Sequence, residues 1–231
     1  MLSLCTDAES NDLILDFFAG SGSVAHAVIA QNCEDGGSRR CISVQIGEPI
    51  SKADKKEFYS ESSFKHFETI CDITKERIRR AGKKIREESP LIANSLDVGF
   101  RVLRIDSSNM NDVFYTPDAV TQDQLAGMVT NIREDRTPED LLFQVLLDWG
   151  VDLALPIAKE AIEGKTVYFV DGNALAACFD EGVSEDFVKL LAKREPLRAV
   201  FRDTGYATDS VKINVEQLFK LMSPSTEVKT I

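Results

Sequence analysis

The chain has 231 residues, 43% of them hydrophobic, which is enough for one substantial core or two modest ones. Its formal net charge of −11 excludes a protein that coats nucleic acid generically, since such proteins are basic. The acidity is uneven: residues 1–90 hold 13 Lys/Arg against 15 Asp/Glu and residues 91–231 hold 14 against 23, so any contact with nucleic acid is expected from the first part.

In chain order, residues 12–18 form an apolar run that reads as a strand and ends in the small-residue turn Ala19-Gly20-Ser21-Gly22. A helix follows from Ser23 through Val24, Ala27, Val28 and Ala30, then Gly36-Gly37, then a second strand over Cys41–Ile46. Strand, glycine turn, helix, strand is the opening of a parallel α/β sheet. A long helix is expected from Phe64 to Glu87, with Ile70, Ile73, Ile78, Ala81 and Ile85 near one face and Ser89-Pro90 as its stop. Residues 91–98 read as a linker. The pattern restarts with a strand over Phe100–Ile105 and a helix from Thr137-Pro138 carrying Leu141, Leu142, Val145 and Leu146. Strands over Thr166–Val170 and Ala174–Phe179, a helix capped by Ser184, a strand over Arg198–Phe201, a helix over Asp209–Met222 and a strand over Glu227–Ile231 complete a second α/β unit.

A glycine turn between a strand and a helix lets a ligand approach the backbone and can aim free N–H groups at its oxygens. Gly20-Ser21-Gly22-Ser23-Val24-Ala25 formally fits the dinucleotide fingerprint, a weak signal by itself. Asp16, at the strand end, is poorly placed beside a pyrophosphate but suits a cationic amino-acid group, and Phe17 and Phe18 precede the glycines. S-adenosylmethionine, with an ammonium, a sulfonium, two ribose hydroxyls and no phosphate, matches that set.

Asp16-Phe17-Phe18-Ala19-Gly20-Ser21-Gly22 resembles the F-x-G-x-G cofactor motif of DNA amino-methyltransferases. More narrowly, residues 13–22 with His26-Ala27-Val28, the block Val44–Pro49, the block Asp72–Ile85 and the blocks Phe201–Tyr206, Lys212–Gln217 and Val228-Lys229 resemble the modification (Mod) subunit of type III restriction–modification systems. The resemblance implies a partial Rossmann-like, S-adenosylmethionine-dependent methyltransferase sheet followed by a smaller α/β C-terminal domain. It implies a cofactor-binding part over 1–90, a linker over 91–98 and a C-terminal domain over 99–231 with an assembly role. The expected cofactor residues are Asp16, Phe17, Phe18, Ala19, Gly20, Ser21 and Gly22, with Gln45 or Glu48 on the ribose hydroxyls and Glu48 slightly preferred; Glu48 as a solvated loop residue before Pro49 is the alternative. Implied partners are DNA through the complete enzyme, where adenine is the target, a second copy of Mod and the restriction (Res) subunit.

The same resemblance places the catalytic Asp/Asn-Pro-Pro-Tyr/Phe motif and a target-recognition region upstream of the cofactor motif. That motif orients the amine of a flipped base and stacks on its ring. The sequence contains no Pro-Pro dipeptide, and tetrads such as Gly47-Glu48-Pro49-Ile50 and Tyr115-Thr116-Pro117-Asp118 have the wrong chemistry. No catalytic residue is therefore assigned, and the chain is expected to be a C-terminal portion that is inactive alone.

Other clusters have structural readings. The segment Thr74–Arg86 holds seven Lys/Arg and one acid, and serves either as a contact for DNA phosphates or a subunit, or as a solvated face paired with acids of the second half. Asp203 with Lys212 and Asn214, and Asp171-Gly172-Asn173, read as turn chemistry at strand ends. His26 and His66 lack metal-ligand partners at helical spacing, so no metal site is expected. Trp149 reads as packing at a helix end. Five cysteines without a Cys-x-x-Cys pair read as reduced thiols of a cytoplasmic protein. No apolar run approaches the roughly 18–20 residues that cross a bilayer, and Met1–Asn11 has no signal-peptide pattern. Two further readings stay open: an assembly module without cofactor, and a nicotinamide-dependent oxidoreductase.

Overall fold

The computed structural model describes residues 2–51, 66–92, 94–111 and 131–231. The chain is α/β and divides into two compact units, Met1–Val102 and Leu103–Ile231.

The first unit opens with a single-turn helix, α1 (Leu2–Cys5), before strand β1 (Leu13–Asp16). Helix α2 (Ser23–Asp35) then crosses to strand β2 (Arg40–Ser43), which lies parallel to β1 with Leu13 opposite Arg40 and Asp16 opposite Ser43. Left-handed glycines bracket α2: Gly22 precedes it at φ 77° and Gly36 ends it at φ 72°. The return to β2 is fixed by Arg39, which is buried: its Nε donates to Thr6, its Nη2 stands 2.9 Å from Asp35, and its backbone exchanges hydrogen bonds with the Asn32 amide.

Helix α3 (Ile70–Glu88) packs on α2. It starts six residues later than the sequence suggests, because Thr69 and Asp72 form a capping box that ends the extended approach. Part of the expected helix start, Phe64 and Lys65, lies outside the described residues. Residues 94–98 return along α3, with Leu96 buried and its carbonyl accepting from Arg86 Nη2 at 3.0 Å. A Cβ on Gly82 would stand 2.8 Å from Val98 Cβ, so only glycine admits this approach.

Among the described residues β1 and β2 form a two-stranded sheet. Leu13, Leu15 and Ile42 share one face and are 52%, 50% and 46% exposed, whereas Ile14 and Cys41 on the opposite face are partly covered. The strand expected over Phe100–Ile105 does not form; those residues are exposed and irregular, because no strand among the described residues takes their backbone groups.

The second unit is a helix–sheet–helix sandwich. Helix α4 (Pro138–Asp148) starts at Thr137 through a capping box with Asp140. The strands β3 (Ile157–Ile162), β4 (Lys165–Val170), β5 (Leu175–Cys178), β6 (Arg198–Phe201) and β7 (Glu227–Thr230) lie in sequential order. The first three are antiparallel, turning at Glu163-Gly164 and at Asp171-Gly172, all four residues having positive φ. β5, β6 and β7 are parallel, joined by helices α5 (Glu185–Ala192) and α6 (Asp209–Met222). Alternate residues of β4, β5 and β6 face two cores. Val167, Phe169, Ala176, Cys178, Ala199 and Phe201 pack against α5 and α6. Tyr168, Val170, Leu175, Ala177 and Val200 pack against α4. Burial on both faces explains why these strands read as unbroken apolar runs.

Candidate ligand site at the glycine turn

The turn after β1 is held from two sides. From β2's extension, Gln45 Oε1 accepts from the Gly20 N–H at 2.8 Å, and the Val44 carbonyl accepts from Ala19 at 3.1 Å. From α3, the Thr74 hydroxyl donates to the Gly20 carbonyl, and Arg77 Nη1 donates to Ser21 Oγ at 2.7 Å. Thr74 and Arg77 are one helical turn apart and so share a face. The sequence places both in the basic segment, but nothing in it singles them out as partners of a turn more than 50 residues away.

The amides of the turn are largely engaged inside the protein. Phe18 donates to Asp16 Oδ1 at 3.4 Å, Ala19 to Val44, Gly20 to Gln45, and Gly22 to Ala19 at 2.7 Å. The amides of Phe18, Ala19, Gly20 and Gly22 are thus taken, whereas those of Ser21 and of Ser23, Val24 and Ala25 at the start of α2 have no acceptor among the described residues. The turn also presents side-chain chemistry: the Asp16 carboxylate at the strand end, the Ser21 hydroxyl, and the Arg77 guanidinium beyond it. Phe17 and Phe18 are 63% and 86% exposed, with ring faces open to a flat or apolar group, whereas Ala19 is buried.

The two candidates on the second strand differ. Gln45 has both ends of its amide engaged, Oε1 with Gly20 and Nε2 with the Ile46 carbonyl at 3.1 Å, which makes it a support of the turn. Glu48 is exposed; its backbone joins α3 through the Ile70 N–H, while its carboxylate has no partner among the described residues. Glu48 can accept hydrogen bonds from a hydroxyl pair without breaking anything.

The remaining clusters make contacts within the protein. The cations of α3 pair mainly with acids of the same helix: Lys75 with Asp72, Arg80 with Glu76, Lys83 with Glu87 and Lys84 with Glu88. Asp203 and Lys212 form an ion pair at 2.6 Å, and Asn214 reaches Glu185. Trp149 stacks beneath Arg198 and Lys229. Burial pushes the Cys178 thiol up to about 11, leaving it a small apolar filler. No group of His, Cys, Asp and Glu among the described residues could hold a metal ion, and no helix there is long and apolar enough to cross a membrane.

No protein-family profile matches the chain. Curated proteins similar to it include three Mod subunits. The type III restriction-modification enzyme StyLTI Mod subunit of Salmonella typhimurium is 40% identical over 119 residues, 51% of this chain and 15% of that protein. The EcoP15I Mod subunit of Escherichia coli is 33% identical over 141 residues, 56% of this chain and 19% of that protein. The EcoPI Mod subunit of Escherichia phage P1 is 30% identical over 175 residues, 71% of this chain and 24% of that protein. The chain thus spans less than a quarter of each of these relatives. The chain, alike over up to 71% of its length to three such proteins, is related to the Mod subunits of type III restriction–modification enzymes.

Proposed function

We propose that the chain is the S-adenosylmethionine-binding part of a type III DNA methyltransferase, a partial Rossmann-like sheet over residues 1–90 that acts with a catalytic motif and a target-recognition region not contained in residues 1–231. The observation that supports the reading is the pair of carboxylates beside the turn: Asp16 takes one contact, from the Phe18 N–H at 3.4 Å, and Glu48 takes none among the described residues. Two carboxylates repel a pyrophosphate, whereas they accept from an ammonium and a pair of ribose hydroxyls.

In this reading Asp16 accepts from the ammonium of the amino-acid end, and Glu48 accepts from the ribose. Phe17 and Phe18 flank the cofactor, and Ala19 to Gly22 keep the backbone thin enough for its approach. Gln45 and Thr74 position the turn. The cofactor, once bound, supplies the activated methyl group. The acceptor is the exocyclic amine of adenine in a specific DNA site. With no Pro-Pro motif in its 231 residues to orient that amine, the chain transfers no methyl group by itself. The C-terminal α/β domain serves assembly, with a second Mod subunit or the Res subunit.

Calorimetric titration tests the reading. S-adenosylhomocysteine is expected to bind the chain and NAD is not. Binding of NAD in preference, or methylation of DNA by the chain alone, overturns it.

A further inference from the structure

We propose that Arg77 binds the carboxylate of the ligand held at the glycine turn, so that the site selects a cofactor carrying an intact α-amino acid. The inference rests on the reading of that turn as an S-adenosylmethionine site and adds a residue that the turn motif does not contain.

The basic segment of α3 is not uniform. Lys75, Arg79 and Arg80 lie within 4 Å of acids in their own helix, as do Lys83 and Lys84, whose side chains are 78% and 70% exposed. Arg86 is occupied by the Leu96 carbonyl. Arg77 differs from all of these. It is partly buried, it has no carboxylate partner among the described residues, and its one described hydrogen bond goes to Ser21 Oγ, between the two positive-φ glycines. A guanidinium has five N–H donors in a fixed fork, and a serine hydroxyl uses one. The remaining donors lie at the edge of the turn and meet no carboxylate among the described residues.

An α-amino acid carries an ammonium and a carboxylate one carbon apart, so a site for it needs both signs of charge side by side. The turn is bounded by Asp16 at its strand end and by Arg77 at Ser21. That pairing matches a zwitterion, and the planar fork matches a carboxylate in particular. A DNA phosphate is the rival anion. Lys83 and Lys84, out in solvent, suit a phosphate track, whereas Arg77 is turned onto the ligand turn itself.

The test is a cycle of two ligands and three proteins by calorimetry: S-adenosylhomocysteine and 5′-methylthioadenosine, which lacks the amino-acid end, against wild type, Arg77→Gln and Arg77→Lys. Circular-dichroism melting checks that each variant folds. Arg77→Gln is expected to weaken S-adenosylhomocysteine about ten- to a hundredfold and to leave methylthioadenosine within about twofold, with Arg77→Lys intermediate. Equal loss on both ligands makes Arg77 a prop of the turn and overturns the proposal. So does an unchanged affinity for S-adenosylhomocysteine, including the case in which only salt-dependent DNA binding falls. A wild-type chain that binds neither ligand sinks the cofactor reading as well, whereas a wild type that binds and an Arg77→Gln that binds equally sinks this proposal alone.

Discussion

A Cβ placed on Gly22 would stand 3.0 Å from Thr74 Cγ2, so the helix that carries Thr74 closes directly over the residue that launches α2. Gly22 is also left-handed at φ 77°, and the two constraints coincide at one position. Gly22→Ala is therefore expected to cost about 1–2 kcal/mol from backbone strain, with more from the displaced Thr74 contact. Gly36→Ala supplies the comparison, because Gly36 shares the positive φ of 72° but has nothing within 4 Å of a Cβ. Chemical denaturation of the two variants should rank Gly22→Ala as the more damaging, and equal losses would mean that the Thr74 contact is soft.

The buried Arg39 makes the first unit sensitive to acid through its partner Asp35. The guanidinium holds the Asp35 carboxyl down at about 2, below the roughly 3.9 of an unfolded aspartate. A carboxyl depressed in the folded state adds stability that is complete above its unfolded value and is lost as pH falls through the folded one. Stability of the first unit should fall between about pH 4 and pH 2. Asp35→Asn should lower the melting temperature near neutrality and flatten that limb, with the gap to wild type closing toward pH 2. A variant curve parallel to wild type across this window would show that the pair is not what titrates.

In the second unit Leu146 is fully buried between α4 and the sheet. Truncation to alanine leaves a cavity in a two-sided sandwich, for which about 2–5 kcal/mol is the usual cost. Trp149 is the only tryptophan and belongs to the same core, so its fluorescence during denaturation reports this unit. A midpoint unchanged by Leu146→Ala would show that the site collapses around the smaller side chain.

The glycine turn was readable from the sequence because it depends on local requirements, two positive-φ glycines after an apolar strand. The cap at Ser184, the Thr137-Pro138 start and the apolar runs Val167–Val170, Leu175–Cys178 and Ala199–Phe201 within β4, β5 and β6 were equally direct. β3 was not read, since Ala158-Lys159-Glu160-Ala161 has the composition of a helix surface; it becomes a strand as the charged edge of a sheet whose pairing supplies the preference. The reverse error fell on Phe100–Ile105, where a good strand pattern found no ladder. At the site, the types of residue were legible and their division of labour was not. Gln45 and Glu48 look interchangeable until Gln45 is seen to hold Gly20, and Arg77 is one basic residue among seven until its side chain is traced to Ser21.

The open face of β1 and β2 bears on how this chain behaves at the bench. Leu13, Leu15 and Ile42, with the rings of Phe17 and Phe18 beside them, give the folded first unit an apolar surface of the kind that usually signals incomplete folding. Dyes that brighten on such surfaces are the routine diagnostic for molten states. Here they should brighten on the native chain, and dim when a ligand covers the rings, so fluorescence enhancement has to be read beside a cooperative melt before a preparation is discarded as misfolded.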